Sequence, residues 1–444
     1  MHHSTLPDPA RAARIARAKF IPPFVCLTRR SLFLFAILGL LLAVLPGETV
    51  AQGQRKAKSV LLQDDFPFQG ACINAKFPSN NCALKGFAIR VAPDGIANVL
   101  FDTDLLRMAA GWTGGYIDTK GVAFDGGHGA HPGIVGEQKF GTRQGPGWAN
   151  AKGEFADPRA ERFGPLPEEW CRWDGLYVNG PSVVLSYTVL GTKIYEQPGM
   201  YAHAGEIAFT RTFKTKKAKA NLIALLAEVE GATVKAEGNT LTLTAGTNVT
   251  WIALSGAPKG VTLEVADNSR ALLKIAKGTS ASLFNVFIWR GEAGHQSKVT
   301  GFLVEKPTMV AFDKGGPSRW PEPVVTKGVL NTSATPDGAY VTDSITAPTD
   351  NPWKRRVRFG GMDFFSDGKR AALCTHDGDI WIVSGIDEKL DKLEWRRFAS
   401  GQYETLGLVI VDDVIYTSGR DQITRYHDLN KDGEADYYEN FNNQ

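Results

Sequence analysis

From Ser59 to about Leu303 the chain is written in short runs of alternating or β-branched residues, each closed by Gly, Asn, Asp or Pro. This texture limits the fold more than any other feature. GFAIRVA, SVVLSYTVL, EIAFTRTF, NTLTLTA, NVTWIAL, GVTLEVA, RALLKIA and SLFNVFIW have the period of two that places apolar side chains on one face of a strand. The expected fold class is therefore mainly β, with a β-sandwich-like domain of antiparallel strands over 52–306. DTDLLRMAAGW, Asp102 to Trp112, reads as its one short helix. Between Gly111 and Trp170 the alternation gives way to more than a dozen glycines, with prolines and interleaved aromatics. A loop that long inside a domain is usually functional or disordered, and the aromatics Trp112, Tyr116, Phe124, Phe140, Trp148, Phe155 and Phe163 favour an ordered Gly-rich excursion.

The Pro-, Thr- and Asp-rich stretch 307–352 reads as a linker. Beyond it, FGGMDFFSDGKRAALCTHDGDIWIVSG and GLVIVDDVIYTSGRDQITRYHD repeat a strand, turn, strand texture with DG turns. Hairpins of this kind are the material of β-propeller blades. At four strands per blade, 353–444 supplies about two blades, whereas a closed propeller takes at least four, so an incomplete β-propeller is expected.

The N-terminal stretch points to a location outside the cytoplasm. The formal net charge is +3, but Met1 to Ala51 carries Arg11, Arg14, Arg17, Lys19, Arg29 and Arg30 against Asp8 and Glu48, leaving the remainder near neutrality. Nothing in that remainder points to nucleic acid as a partner. The basic stretch ending in Arg29-Arg30, the apolar run LFLFAILGLLLAVLP and the small residues TVA before Gln52 read as a signal peptide over 1–51, cleaved after Ala51. The run of about 15 residues falls short of the roughly 20 that span a bilayer, so no membrane span is expected after cleavage. TRRSLFL is loosely similar to a twin-arginine signal, and an exported, periplasmic or secreted location follows by either route.

Cleavage removes Cys26 and leaves Cys72, Cys82, Cys171 and Cys374, an even number for an oxidising compartment. Cys72 and Cys82 flank the turn-forming PSNN and are expected to pair as a disulfide, with two unbridged thiols as the alternative. Cys374 in AALCTH reads as a small core residue. There is no CxxCH, hence no covalently attached c-type haem in this sequence.

Three groups of residues have the chemistry for a site. In DLNKDGEADYYE, Asp428, Asn430, Asp432, Glu434, Asp436 and Glu439 fall at positions 1, 3, 5, 7, 9 and 12 of a calcium loop, with Gly433 at the sharp turn. Such a loop binds calcium or is a solvated acidic turn held by its own side-chain to backbone bonds. In FDGGHGAHPG, Asp125, His128 and His131 are candidate metal ligands or an acid–base pair, with His203 and Glu196 as supplementary ligands; the competing reading is a glycine-shaped loop whose histidines bond backbone groups. Trp112, Trp170 and Trp173, with Tyr177, form either a sugar-stacking platform or part of the core.

LLRMAAGWTGGY, FDGGHGAHPGIVGEQKFGT, GPGWANAKGEFADPR, FGPLPEEW, WDGLYVNGPSVVLSYTV, NPWKRRVRFGGMDFFSDGKRAALCTHDGDIWIVSG and GRDQITRYHDLNKDGEADYYENFNN together resemble a planctomycete-type exported family. In it an uncharacterised β-rich domain precedes a propeller similar to the sugar and sorbosone dehydrogenases, often followed by a c-type haem domain. The resemblance implies carbohydrate as partner, pyrroloquinoline quinone or haem as cofactors of a full-length relative, and a downstream haem domain for electron transfer. This sequence ends about two blades into the propeller, so none of the quinone-binding residues of later blades is carried over, and no dehydrogenase activity of its own is expected. Three functions remain: a carbohydrate-related module of a sugar-dehydrogenase-like protein, a non-catalytic glycan- or partner-binding scaffold, and a metal-dependent hydrolase using Asp125, His128 and His131.

Overall fold

A computed structural model describes residues 65–444 apart from 93–94, 119–131, 268 and 332–337. The described chain is mainly β, in several sheets of which one curls as a half-barrel, and it belongs to one unit, Lys56–Gln444. Asp125, His128 and His131 lie outside the described residues.

The first sheet has seven strands: β1 (Phe68–Asn74), β2 (Cys82–Arg90), β3 (Ala97–Asp102), β4 (Arg107–Thr113), β5 (Ile117–Asp118), β6 (Gly133–Ile134) and β7 (Glu137–Gly141), in the order β5-β6-β1-β2-β3-β4-β7. The helix expected over Asp102 to Trp112 is absent; the segment is the β3–β4 hairpin. Its residues are good helix formers, but all of Ala97 to Trp112 that lies in strands is buried on both faces, and tertiary burial overrides weak propensity. The turn is fixed by Asp102, whose carboxylate accepts from Leu105 N at 3.4 Å and Arg107 Nε at 3.2 Å.

The next strands are β8 (Cys171–Asn179), β9 (Ser182–Val189), β10 (Thr192–His203), β11 (Glu206–Thr215), β12 (Leu222–Glu228), β13 (Thr233–Glu237), β14 (Thr240–Ala245), β15 (Asn248–Ser255), β16 (Val261–Ala266), β17 (Arg270–Ile275) and β18 (Ser282–Glu292). They are followed by β19 (Val324–Thr326), β20 (Phe359–Phe364), β21 (Ala371–Thr375), β22 (Ile380–Ser384), β23 (Leu393–Ala399), β24 (Gly407–Val411), β25 (Val414–Ser418), β26 (Ile423–His427) and β27 (Tyr437–Asn442). Twelve of these form one sheet, β13-β14-β15-β18-β11-β10-β9-β8-β27-β26-β25-β24. Its continuity depends on β27 pairing antiparallel with β8, Tyr437 opposite Tyr177. The hairpins β24–β27 are thus hydrogen-bonded into the sheet of 52–306, while β20–β23 form a separate five-stranded sheet, β19-β23-β22-β21-β20, completed by β19 from the stretch read as a linker. A three-stranded sheet, β12-β17-β16, covers part of the core.

Besides the Asp102–Arg107 pair, two further buried ionic groups lie within this apolar interior. Glu196 accepts from Arg211 Nε at 2.6 Å and from the Tyr187 hydroxyl at 2.5 Å, all three being shut off from solvent. Asp379 accepts from Arg355 Nε at 2.7 Å and from Arg397 Nη2 at 3.0 Å. Burial works to raise the Asp379 pKa, but the two guanidiniums hold it below the usual carboxylate range. Cys72 and Cys82 come together across the β1–β2 hairpin with their sulfurs 3.6 Å apart, and Cys374 is fully buried in β21.

Candidate functional site

The twelve-stranded sheet has an inner face on the main core and an outer face that a strap of non-strand chain crosses. Alternation along β10 sends Ile194 and Glu196 inward, and leaves Tyr195, Gln197, Gly199 and Tyr201 half-buried on the outer side. Strand register continues this outer row sideways. Gln197 lies opposite Thr212, Thr212 opposite Asn285, and Asn285 opposite Ser255, a polar rung across β10, β11, β18 and β15. The next rung pairs Gly199 with Thr210 and Thr210 with Phe287. A side chain at Gly199 would meet Thr210 Oγ1 at 2.7 Å, so glycine here keeps the floor open.

Over these rungs lies a groove of about 710 Å³, floored by Ser182, Gln197, Thr210, Thr212, Asn285 and Phe287. One wall comes from the strap of residues 305–320 and the other from Asp65 to Pro67 and Arg90 to Ala92. Side chains, not strand pairing, hold the strap. Gln197 Oε1 accepts from Val310 N at 3.0 Å, and Asn179 Nδ2 donates to the carbonyls of Ala311 and Gly315, both at 3.2 Å. Phe312, 5% exposed, is wedged between Tyr177 and Tyr195 with ring centroids 4.8 Å from each. At its far end Glu434 accepts from Arg319 N at 2.6 Å, from Ser318 Oγ at 3.3 Å and from the Arg319 guanidinium.

The charged groups of the rim are largely occupied. Asp65 accepts from Trp320 Nε1 at 2.7 Å and Arg397 Nη1 at 2.6 Å. Arg90 donates to Phe66 O at 2.8 Å and lies 3.7 Å over the Tyr116 ring. Glu305 holds the Tyr201 hydroxyl, and that hydrogen bond raises the tyrosine's pKa.

Sequence-expected positions fare differently. Trp112, Trp170 and Trp173 are buried at 0%, 6% and 2% exposure, so they offer no free ring face to a sugar and belong to the core. Trp112 Nε1 donates to Gly115 O and Tyr116 O, and Trp173 Nε1 to Gln422 Oε1. Tyr177 stacks on Tyr437 at 4.1 Å, which occupies its ring face as well. Glu196 and His203 do not meet: Glu196 is in the inner-face ion pair, while His203 lies against Phe302 on the other side.

In the acidic loop, Asp428 accepts from the amides of Lys431, Asp432 and Gly433, and Asp432 from that of Glu434. Asp436 accepts from Gly316 N and Leu429 N, both at 2.8 Å; burial, with Asp432 and Asp428 adding to it, raises its pKa. Of the six expected ligands, Glu434 is committed to the strap and Glu439 to Arg425 and His427 at 2.6 Å each. These two carboxylates therefore do not fit a calcium shell in this arrangement. Among the described residues no three His, Cys, Asp or Glu side chains converge as metal ligands, so a cation here would have to draw Asp428, Asn430, Asp432 and Asp436 away from backbone amides.

The groove residues escaped sequence reading because only register brings them together. EIAFTRTF shows Thr210 and Thr212 on a solvent-side alternation, but nothing in it names Asn285, 73 positions from Thr212. Comparison with known families matches residues 99–196 to a domain of unknown function, DUF6797. That span runs from β3 into β10 and ends one residue before Gln197. No curated protein matches the chain. Among the described residues no helix is long and apolar enough to cross a membrane.

Proposed function

We propose that the outer-face groove binds a glycan and that the chain is a carbohydrate-related module of an exported protein. The observation that carries this is the rung of amide and hydroxyl side chains under a cavity also lined by Phe66, Phe287 and prolines. Polar groups that fix hydroxyls, set among apolar faces that cover sugar C–H surfaces, are what a polyol ligand requires. Binding is favoured over bond cleavage, because the rim carboxylates Asp65 and Glu305 already hold partners. The hydrolase reading through Asp125, His128 and His131 falls on residues outside those described.

The side-by-side arrays β20–β23 and β24–β27, whose first strands meet where Ile410 N donates to Asp363 Oδ2 at 2.8 Å, support the reading of this half as two propeller blades. The remainder fits a sandwich-like domain, and export from a cleaved leader is kept as part of the proposal.

Screening against neutral and acidic oligosaccharides, then calorimetric titration, tests the function. The parent protein is expected to bind at least one oligosaccharide with a Kd below about 1 mM. Asn285→Ala combined with Gln197→Ala removes two hydrogen-bonding groups at about 1 kcal/mol each, a loss of about 30-fold. Absence of binding across the panel, or unchanged affinity in the double variant, rejects the groove.

Calcium at the acidic loop is the second element of the proposal, through Asp428, Asn430, Asp432 and Asp436. Millimolar Ca²⁺ is expected to raise the melting temperature, and Asp432→Ala to abolish the rise. A parent protein whose melting temperature ignores Ca²⁺ removes calcium from the account.

A further inference from the structure

The hydrogen bonds already made by the groove floor leave it rich in donors. Gln197 Oε1 is taken by Val310 N, and a backbone N–H only donates, so the orientation of this amide is fixed by its partner. Its Nε2 has no protein partner among the described residues. At Asn285, only 6% exposed, Oδ1 receives the Thr212 hydroxyl at 2.8 Å, and Nδ2 has no protein partner among the described residues. Thr210 and Ser182 add hydroxyls that line the same cavity. Against such a floor a neutral hydroxyl brings two acceptor lone pairs but also a donor that neither amide nitrogen can receive. A ligand atom that only accepts satisfies it completely, and leaving a buried donor unmatched costs about 1–3 kcal/mol.

Charge on the rim acts in the same direction. Arg90, Lys306 and Arg319 line the groove against Asp65 and Glu305. Asp65 is neutralised by Arg397 from behind and Arg319 by Glu434. Glu305 has its hydrogen bond from Tyr201, and Lys306 is exposed.

We infer that the groove selects glycans bearing an anionic substituent, a carboxylate or a sulfate ester, whose oxygens accept from Asn285 Nδ2 and Gln197 Nε2 on the floor while Arg90 and Lys306 face them from the rim. This rests on the glycan reading of the groove and adds to it the class of sugar. Carboxylate and sulfate share the chemistry: several acceptor oxygens, no donor and a negative charge. The preference is set by the floor, so it persists when salt screens the rim.

The test titrates the full chain with a galacturonate trisaccharide, its carboxyl-reduced neutral counterpart, and a sulfated galactose trisaccharide, at about 20 and 200 mM salt. At least one anionic sugar is expected to bind ten-fold or more tighter than the neutral one, and to keep most of that advantage at the higher salt. Asn285→Asp, nearly the same in shape, turns the floor donor into an acceptor and is expected to reverse the preference. Its folding is checked by an unchanged melting temperature, and Asn285→Ser, which keeps a donor, serves as the second variant and should retain the preference. Equal or tighter binding of the neutral sugar overturns the selectivity and leaves the groove standing. Failure of all three sugars together with the wider panel overturns both.

Discussion

Replacing Asp379 with alanine is expected to be the most damaging single change in the described chain, lowering stability by about 3–5 kcal/mol. The carboxylate is fully buried and is shared by Arg355, Arg397 and the Ser400 hydroxyl. Its removal leaves two guanidiniums in the interior without their main counter-charge. Arg397 is also fully buried, 3.9 Å over the Trp320 ring, and its other arm holds Asp65. Asp65 and Trp320 stand where the groove wall meets the strap, so the loss extends from the five-stranded sheet toward the groove. Asp379→Asn keeps the shape and one of the two acceptor oxygens and should lie between parent and alanine variant. Urea unfolding with a common slope gives the comparison. A loss below about 1 kcal/mol for alanine would show that water or a rearranged partner replaces the carboxylate.

The second large effect is a gain of stability from Asp421→Asn at neutral pH. Asp421 is buried at 5% exposure and its Oδ1 has no hydrogen-bond partner among the described residues. Burial pushes its pKa up to about 7, with Asp104 adding to the rise, while backbone bonds and Lys85 oppose it. Asp104, ion-paired to Lys85 at 3.2 Å, is itself raised by burial to about 6. A carboxyl whose folded pKa exceeds its unfolded value favours folding while it is protonated. That contribution is complete below the unfolded value near 4 and is lost as pH rises through about 7. The full change for Asp421 is on the order of 4 kcal/mol. Asparagine has no proton to lose, so the variant is expected to match the parent at pH 4 and exceed it increasingly up to pH 7.5. A difference that does not change between those pH values would mean that Asp421 stays ionised in the folded protein.

The sequence carried the strand content well, because alternation reports burial on one face directly. GFAIRVA overlaps the second half of β2, and EIAFTRTF and NTLTLTA fall on β11 and β14. It failed at DTDLLRMAAGW, where burial on both faces erased the alternation and left only helix propensity. It reads 307–352 as a linker, and a proline-rich stretch carries no sign that β27, far downstream, pairs with β8. The site was hidden for the same reason. Trp112, Trp170 and Trp173 drew attention as aromatics, yet large aromatic side chains mostly serve cores. Gln197, Thr212 and Asn285 are ordinary polar residues on alternating strands, and become a site only when three strands lie in register under a strap. The acidic loop was legible as a loop, with Gly433 at its turn (φ 91°), but the partners that claim Glu434 and Glu439 come from Arg319 and from the strand before it.

The central claim is that the outer-face groove is where this protein holds sugar, and a crystal structure with the galacturonate trisaccharide bound tests it most directly. The account predicts the sugar over the Gln197, Thr212 and Asn285 rung, with an acceptor oxygen within about 3.2 Å of Asn285 Nδ2 and Gln197 Nε2. A trisaccharide found elsewhere on the molecule, with the groove filled only by water at saturating concentration, would contradict it.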